Sequence, residues 1–161
     1  MIEGQISWRD AVNTHLIIKN KKASFNYEIV QTFECGVKLL GSEVKSVRQK
    51  SISINEAYVT ISKQHVVLKN ANIQPYSHSS HTNHNPTRER ILLLRSMQIS
   101  KLRGMVSEKG MSIVPTKVYL NKGLIKVEIA LVKGKKLHDK RHHEKKKDQE
   151  RQMQNALKHS I

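Results

Sequence analysis

Cysteine is almost absent from this chain: Cys35 stands alone, so neither an intrachain disulfide nor a cysteine-based zinc site can form. Acid is scarce as well. Three aspartates (Asp10, Asp139, Asp148) and ten glutamates face 29 lysines and arginines among 161 residues. Metal-dependent hydrolysis gathers several carboxylates in one place, and little material for that exists here. A Walker-type loop, a G-x-S-x-G elbow, a G-x-G-x-x-G turn and an H-E-x-x-H helix are all missing, which argues against an enzyme. Long apolar runs are missing too. Stretches such as Ile91-Leu92-Leu93-Leu94 fall far short of the roughly 20 residues a membrane helix needs. Acidic Glu3 precedes every basic residue and no apolar core follows it, so no secretory signal is expected. Aromatic residues number seven, few for a protein that stacks successive single-stranded bases. What the chain has in excess is positive charge, +16 overall with a pI near 10.1. A surplus of that size calls for a polyanion or an acidic surface as partner. These features predict a soluble intracellular protein that binds nucleic acid, recognised by shape and backbone.

Composition divides the chain into three segments. Residues 1–20 are mixed and non-periodic, ending in Leu16-Ile17-Ile18, and are expected to form a flexible N-terminal extension. Residues 21–132 hold nearly all the apolar periodicity. Ala57, Val59 and Ile61 alternate with Tyr58 and Thr60, the period of a half-buried strand, and His65–Leu68 follows after a short polar link. An earlier strand runs from Phe33 to Leu40. The clearest hairpin joins Lys117–Leu120 to Ile125–Leu131 through Asn121-Lys122-Gly123, read as a three-residue loop with glycine at a positive φ. Two short helices interrupt the strands. Ser42 can cap one that runs to about Gln49, with Val44 and Val47 on one face and Lys45 and Arg48 on another. The second starts near Ser96 and stops before Gly110. The fold class predicted is mainly β with short helices: an OB-like antiparallel β-barrel, followed by a basic C-terminal tail. That tail, residues 133–161, holds ten basic and four acidic side chains. Its apolar residues are too few to offset the entropy of ordering, so it is expected to be disordered in isolation and helical on a partner.

The sequence also carries an ordered series of blocks. Asn20-Lys21-Lys22-Ala23 comes first, then Thr32-Phe33-Glu34-Cys35-Gly36-Val37 and Gly41-Ser42-Glu43-Val44-Lys45-Ser46. Asn83-His84-Asn85-Pro86-Thr87-Arg88-Glu89-Arg90 and Leu92-Leu93-Leu94 follow. Lys126-Val127-Glu128-Ile129-Ala130-Leu131, Gly134-Lys135-Lys136 and Asp139-Lys140-Arg141 close the series. Together they resemble the small protein B family, the tmRNA-binding proteins of bacterial trans-translation, from about residue 20 to the C-terminus. The resemblance implies an OB-type barrel that binds the tRNA-like domain of tmRNA and brings it to stalled ribosomes, where the nascent chain is tagged. It implies a non-enzymatic adaptor of the bacterial cytoplasm with no metal, no cofactor and no membrane partner, whose indirect partners are elongation factor Tu and alanyl-tRNA synthetase. Under it Glu34 and Leu93 match positions that contact the tRNA-like loop region, and Arg95 stands where the family has histidine or asparagine. His138 and Asp139-Lys140-Arg141 match tail positions that engage the decoding centre; Gly134, Lys135 and Lys136 open that block, and the rest of the tail lies in the empty mRNA channel. Asn85 replaces a usual aspartate, Ile91 a usual basic residue and Ala156 a bulkier aliphatic one.

Each candidate has a plainer alternative. Glu34 can accept from the edge donors of an unpaired guanine or from a cytosine amino group, or it can pair with Lys38. Lys21, Lys22, Lys38, Lys45 and Arg48 are phosphate-binding candidates, or a solvated basic face. His78, His81 and His84 share a metal-like spacing but have no acid or cysteine beside them, so solvent exposure or phosphate contact is the expected state. Cys35 is expected to be a small buried residue. One rival is a nuclease, because Glu43-Val44-Lys45 has the carboxylate–lysine spacing of a magnesium site, with Glu34 as the available second acid. That spacing normally sits on a strand, whereas here it opens a helix. The other rival, a peripheral membrane protein, lacks the apolar helix face such binding requires.

Overall fold

The computed structural model of the chain describes residues 14–63, 65–79, 83–107 and 110–158. In chain order its elements are β1 (Thr14–Lys19), α1 (Lys21–Asn26), β2 (Tyr27–Val37), α2 (Gly41–Arg48), β3 (Ile52–Ser53), β4 (Tyr58–Ser62) and β5 (His65–Lys69). Then come β6 (Asn72–Ile73), β7 (Arg90–Leu93), α3 (Ser96–Val106), β8 (Met111–Asn121), β9 (Leu124–Gly134) and α4 (Leu137–Lys158). Six strands among the described residues close on themselves in the order β8-β4-β5-β7-β2-β9, with β9 returning to β8 and β1 added on β8. The pairings are antiparallel. This is the mainly β, OB-like barrel expected from the period-2 patterns. Its inside is filled by residues such as Phe33, Val59, Val66, Leu68, Leu92, Val118, Val127 and Ile129, with Leu102 of α3 closing over them.

Local sequence accounts for most of these elements. In β9, Val127, Ile129 and Leu131 are buried while Lys126 and Glu128 stay part-exposed, as the alternation requires. The β8–β9 turn is tighter than expected. Asn121 pairs with Leu124, and Lys122 and Gly123 have φ of 50° and 78°, so this is a two-residue turn of the kind that matches strand twist. Strand β8 changes partner part-way along. Ile113 pairs with Val59 of β4, whereas Lys117–Asn121 face β1. The change coincides with a register shift between Pro115 and Lys117, at a residue with no N–H to give the ladder. Asn20 occupies the gap. Its Nδ2 donates to the carbonyls of Pro115 (3.0 Å) and Ile54 (3.1 Å), and its own N–H donates to Thr116 O at 2.7 Å. Its Oδ1 accepts from the Ala23 N–H at 3.1 Å, which makes it the N-cap of α1 and explains why the first block opens with asparagine.

Two expectations need correction. Thr14–Lys19, assigned to a flexible extension, is a strand paired to β8; residues 1–13 of that extension lie outside the described residues. Helix α2 begins at Gly41 with Leu40 as its N-cap, so Ser42 lies inside the first turn, and the Glu43 carboxylate accepts the Leu40 N–H (2.8 Å) instead. Within the tail, Leu137–Lys158 takes the helical form expected of it on a partner.

Helix α2 carries a carboxylate into the interior. The side chains of Glu43 and Arg90 are both fully buried. Arg90 Nε donates to Glu43 Oε1 at 2.9 Å, and Arg88 Nε donates to the same oxygen at 2.8 Å. The rest of the Arg90 guanidinium donates to the carbonyls of Ala71 (2.8 Å), Arg88 (3.0 Å) and Pro86 (2.9 Å). Burial alone would push the Glu43 carboxyl up, but the hydrogen bonds from Arg88, the Leu40 N–H and Arg90 outweigh it and hold the group below its ordinary value. A folded value below the unfolded one stabilises fully above about pH 4.3, and the stabilisation is lost as pH falls through the folded value. Glu43→Gln is therefore expected to cost about 3–5 kcal/mol at neutral pH, and the gap from wild type should close below about pH 4. Urea denaturation across pH checks this; a gap that stays constant down to pH 2 would contradict it.

Candidate nucleic-acid interface

Helix α1 divides the outer face of β2, β8 and β9 in two. Ala23 and Tyr27 pack on Val114, Ala130 and Val132, so the half of the sheet toward Gly134 is covered. The other half, toward the β8–β9 turn, stays open and is polar. Strand register sets the order of its residues. One row runs Leu16, Tyr119, Lys126, Gly36, Leu93 across β1, β8, β9, β2 and β7. The next row runs Lys19, Lys117, Glu128, Glu34. Directly opposed residues share a face, so Glu34 and Leu93 project to the same side although far apart in sequence.

Gly36 makes room for Leu93. A Cβ built at Gly36 would stand 3.2 Å from the Leu93 Cβ, tighter than most packed side chains come, so glycine lets the leucine lie across the strand without having to shift, with about half its surface exposed. Glu34 and Glu128 are like charges placed directly opposite, which is unfavourable by itself. Their neighbours offset it. Lys117 Nζ lies 2.9 Å from Glu128 Oε2, and Thr116 Oγ1 donates to Glu128 Oε1 at 2.6 Å. The Tyr119 hydroxyl donates to Glu34 Oε2, while Lys126 Nζ stands 4.0 Å from Oε1. The Glu34 side chain is half exposed, held by one oxygen, with the other able to accept from a base edge. A groove of about 990 Å³ runs beside it, lined by Leu16, Lys19, Ile29, Thr32, Lys117 and Tyr119 among others. Cys35, between Glu34 and Gly36 but facing inward, is buried, and burial first and Glu34 second push its thiol up to about 12. It is inert, as expected.

The other predicted residues scatter around this face. Lys38 is exposed just past the end of β2. Arg48 reaches from α2 to the Gly123 carbonyl (3.4 Å) in the β8–β9 turn, which places α2 at the open end of the sheet. Arg95 is exposed at the N-cap of α3. Lys21 and Lys22 lie exposed on α1, and Lys22 pairs with Glu56 rather than standing free. Gly134, Lys135 and Lys136 lie at the covered end, where Lys135 donates from its N–H to Asn26 O (3.1 Å) and from Nζ to Ser24 O (2.9 Å). Asp139, Lys140 and Arg141 follow in the first turns of α4; the His138 side chain lies outside the described residues, as does His81. Glu34 and the tail block are thus not brought together. His84 is buried rather than exposed, and Glu43 does not approach Glu34 but is enclosed by arginines. Among the described residues no cluster of three acids, histidines or cysteines could hold a metal ion.

Sequence reasoning passed over Tyr119, Lys117 and Lys126 as site residues. The available signal was the hairpin register, which sets Tyr119 opposite Lys126. Burial first, then the hydrogen bond and charge of Glu34, hold the Tyr119 phenol well above its ordinary range. Alkaline spectrophotometric titration should find Tyr119 still protonated past about pH 10. In Glu34→Gln its ionisation should move down without reaching the ordinary value, because burial remains. An unchanged titration would break the Tyr119–Glu34 pairing.

The family model described as SmpB protein matches residues 17–159. The SsrA-binding protein of Ehrlichia canis is 50% identical over 144 residues, 89% of this chain and 97% of that one. That of Syntrophobacter fumaroxidans is 43% identical over 148 residues, 92% of each chain. A chain from the solved structure described as "tmRNA-SmpB: a journey to the center of the bacterial ribosome" superimposes with a TM-score of 0.64 at 37% identity, covering 74% of this chain and 85% of its own. With a mainly antiparallel barrel, a matching family model over most of its length and relatives this similar, the chain belongs to the SmpB protein family.

Proposed function

We propose that this chain is an RNA-binding adaptor of trans-translation, which binds the tRNA-like domain of tmRNA and delivers it to stalled ribosomes. The observation that carries this is the open sheet face on which Glu34 and Leu93 meet, in a chain half identical to an SsrA-binding protein. The half-exposed carboxylate discriminates between base edges, the leucine supplies apolar contact, and the surrounding lysines and arginines position the phosphates. Lys38, Arg48 and Arg95 flank that face, while Lys21 and Lys22 on α1 border its covered half.

The tail takes the second task. Helix α4 spans about 33 Å at the usual rise per residue, and its described side chains are almost all exposed. With its described side chains so largely exposed, a helix this basic gains most when its charge is neutralised on an RNA-lined surface. His138, Asp139, Lys140 and Arg141 would engage the decoding centre, and the remainder would lie in the empty mRNA channel. Gly134, Lys135 and Lys136 fix the start of the helix against α1. Elongation factor Tu and alanyl-tRNA synthetase act through the bound tmRNA, and the cytoplasm is the place of action. The described residues contain no helix long and apolar enough to cross a membrane. A catalytic role is disfavoured by Glu43, whose carboxylate oxygens are taken up by Arg88, Arg90 and the Leu40 N–H and leave no open position for magnesium.

Two variants separate the tasks. Strand β9 continues to Gly134 and Lys135 bonds α1, so the tail should be cut after Lys136 rather than at residue 132. The truncated chain is expected to bind the tRNA-like domain as wild type does and to lose tagging on stalled ribosomes. Glu34→Ala should weaken binding by roughly 1–3 kcal/mol. Equal loss of both activities on truncation would refute the division of labour.

A further inference from the structure

A second recess, of about 470 Å³, lies between α2 and the segment that joins β6 to β7. Its wall is held in place by side chains. Asn83 Nδ2 donates to Tyr76 O at 2.9 Å and its Oδ1 accepts the Tyr76 N–H at 3.0 Å. His84 Nε2 donates to Ile73 O at 2.9 Å, which leaves Nδ1 to accept the Ser42 hydroxyl, also at 2.9 Å. Onto this frame the chain sets an aromatic face and a cation. The Tyr76 ring is half-buried, the Lys45 ammonium stands 5.2 Å from its centroid, and the exposed His78 ring lies 5.4 Å away, tilted by 46°. None of the described residues lining the recess is acidic. The one carboxylate on α2, Glu43, points inward to Arg88 and Arg90.

A half-buried ring with a lysine ammonium over it, an exposed imidazole, and no acid suits one ligand chemistry: a planar base with a phosphate attached. The base stacks, and the ammonium takes the phosphate. We propose that this recess holds a single unpaired nucleotide of the RNA that the chain binds. The inference rests on the RNA-adaptor function and adds to it a contact away from Glu34. Arg48, one turn beyond Lys45 on α2, reaches the β8–β9 turn beside Lys126, so RNA lying on the sheet face continues past α2 toward the recess. One nucleotide is proposed because, among the described residues lining the recess, Tyr76 and His78 are the rings not buried.

The test uses the full-length chain and the tRNA-like domain of tmRNA, with affinity read by fluorescence polarisation at fixed salt. Tyr76→Ala should weaken binding about tenfold, within the usual effect of removing one base-stacking ring, while Tyr76→Phe keeps wild-type affinity. Lys45→Gln should lower the salt slope by about 0.7–0.9. A benzophenone amino acid placed at His78 should crosslink to the RNA; this readout does not depend on the stability of any Tyr76 variant. Wild-type affinity in folded Tyr76→Ala together with no crosslink would overturn the proposal and leave Tyr76 as a brace for its loop. If instead the wild-type chain binds an unrelated tRNA as well as the tRNA-like domain, the adaptor function itself fails, and the nucleotide site with it.

Discussion

A carboxylate with no access to water, facing two guanidiniums, is the constraint on which the remaining architecture depends. Glu43 enters the interior from the first turn of α2, and Arg90 meets it from the start of β7. Because Arg90 also donates to Pro86, Arg88 and Ala71, the same group fixes the approach to β7, the turn between β5 and β6, and the helix together. Each of these ions would be costly to bury by itself; buried with a full set of partners, they specify one arrangement of segments distant in sequence. That arrangement sets where β7 lies against β2, and so where Leu93 meets Gly36. The acid that resembled half of a magnesium site is the pin of the barrel.

A second constraint divides the sheet. Proline in β8 breaks the ladder, Asn20 satisfies the freed carbonyls, and the helix capped by that asparagine settles on one half of the outer face. What remains open is the half containing Tyr119, Lys126, Glu34 and Leu93. Tyr27, paired with Gly134, and Glu34, paired with Glu128, stand about 23 Å apart along β2 at the usual strand rise. The open face and the root of the tail are therefore at opposite ends of one antiparallel strand pair.

Much of this was legible in the residues. The alternation in Ile125–Leu131 specified the inward face of β9, and the ordered blocks pointed to the family. Other features depend on partners distant in sequence. Thr14–Lys19 has only the short apolar run Leu16-Ile17-Ile18, so its strand state comes from β8 rather than from its own pattern. A buried Glu43 cannot be told from a helix-dipole acid until Arg88 and Arg90 are placed beside it. Lys22 looks like a phosphate contact in sequence and finds Glu56 in space. Of the candidate site, Glu34 and Leu93 were named through the family pattern, whereas Tyr119 as the hydrogen-bond donor that steadies Glu34 required the register.

Charge alone would let this chain hold any RNA, and the central claim is that the sheet face does more than charge. The most direct measurement titrates the protein with the tRNA-like domain of tmRNA and with an unrelated tRNA at two salt concentrations. Backbone contacts weaken steeply with salt, whereas contacts to a particular RNA shape and its exposed bases persist. The account predicts that the preference for the tRNA-like domain survives at the higher salt. Equal affinity for both RNAs, collapsing together as salt rises, would reduce the protein to a polycation and contradict it.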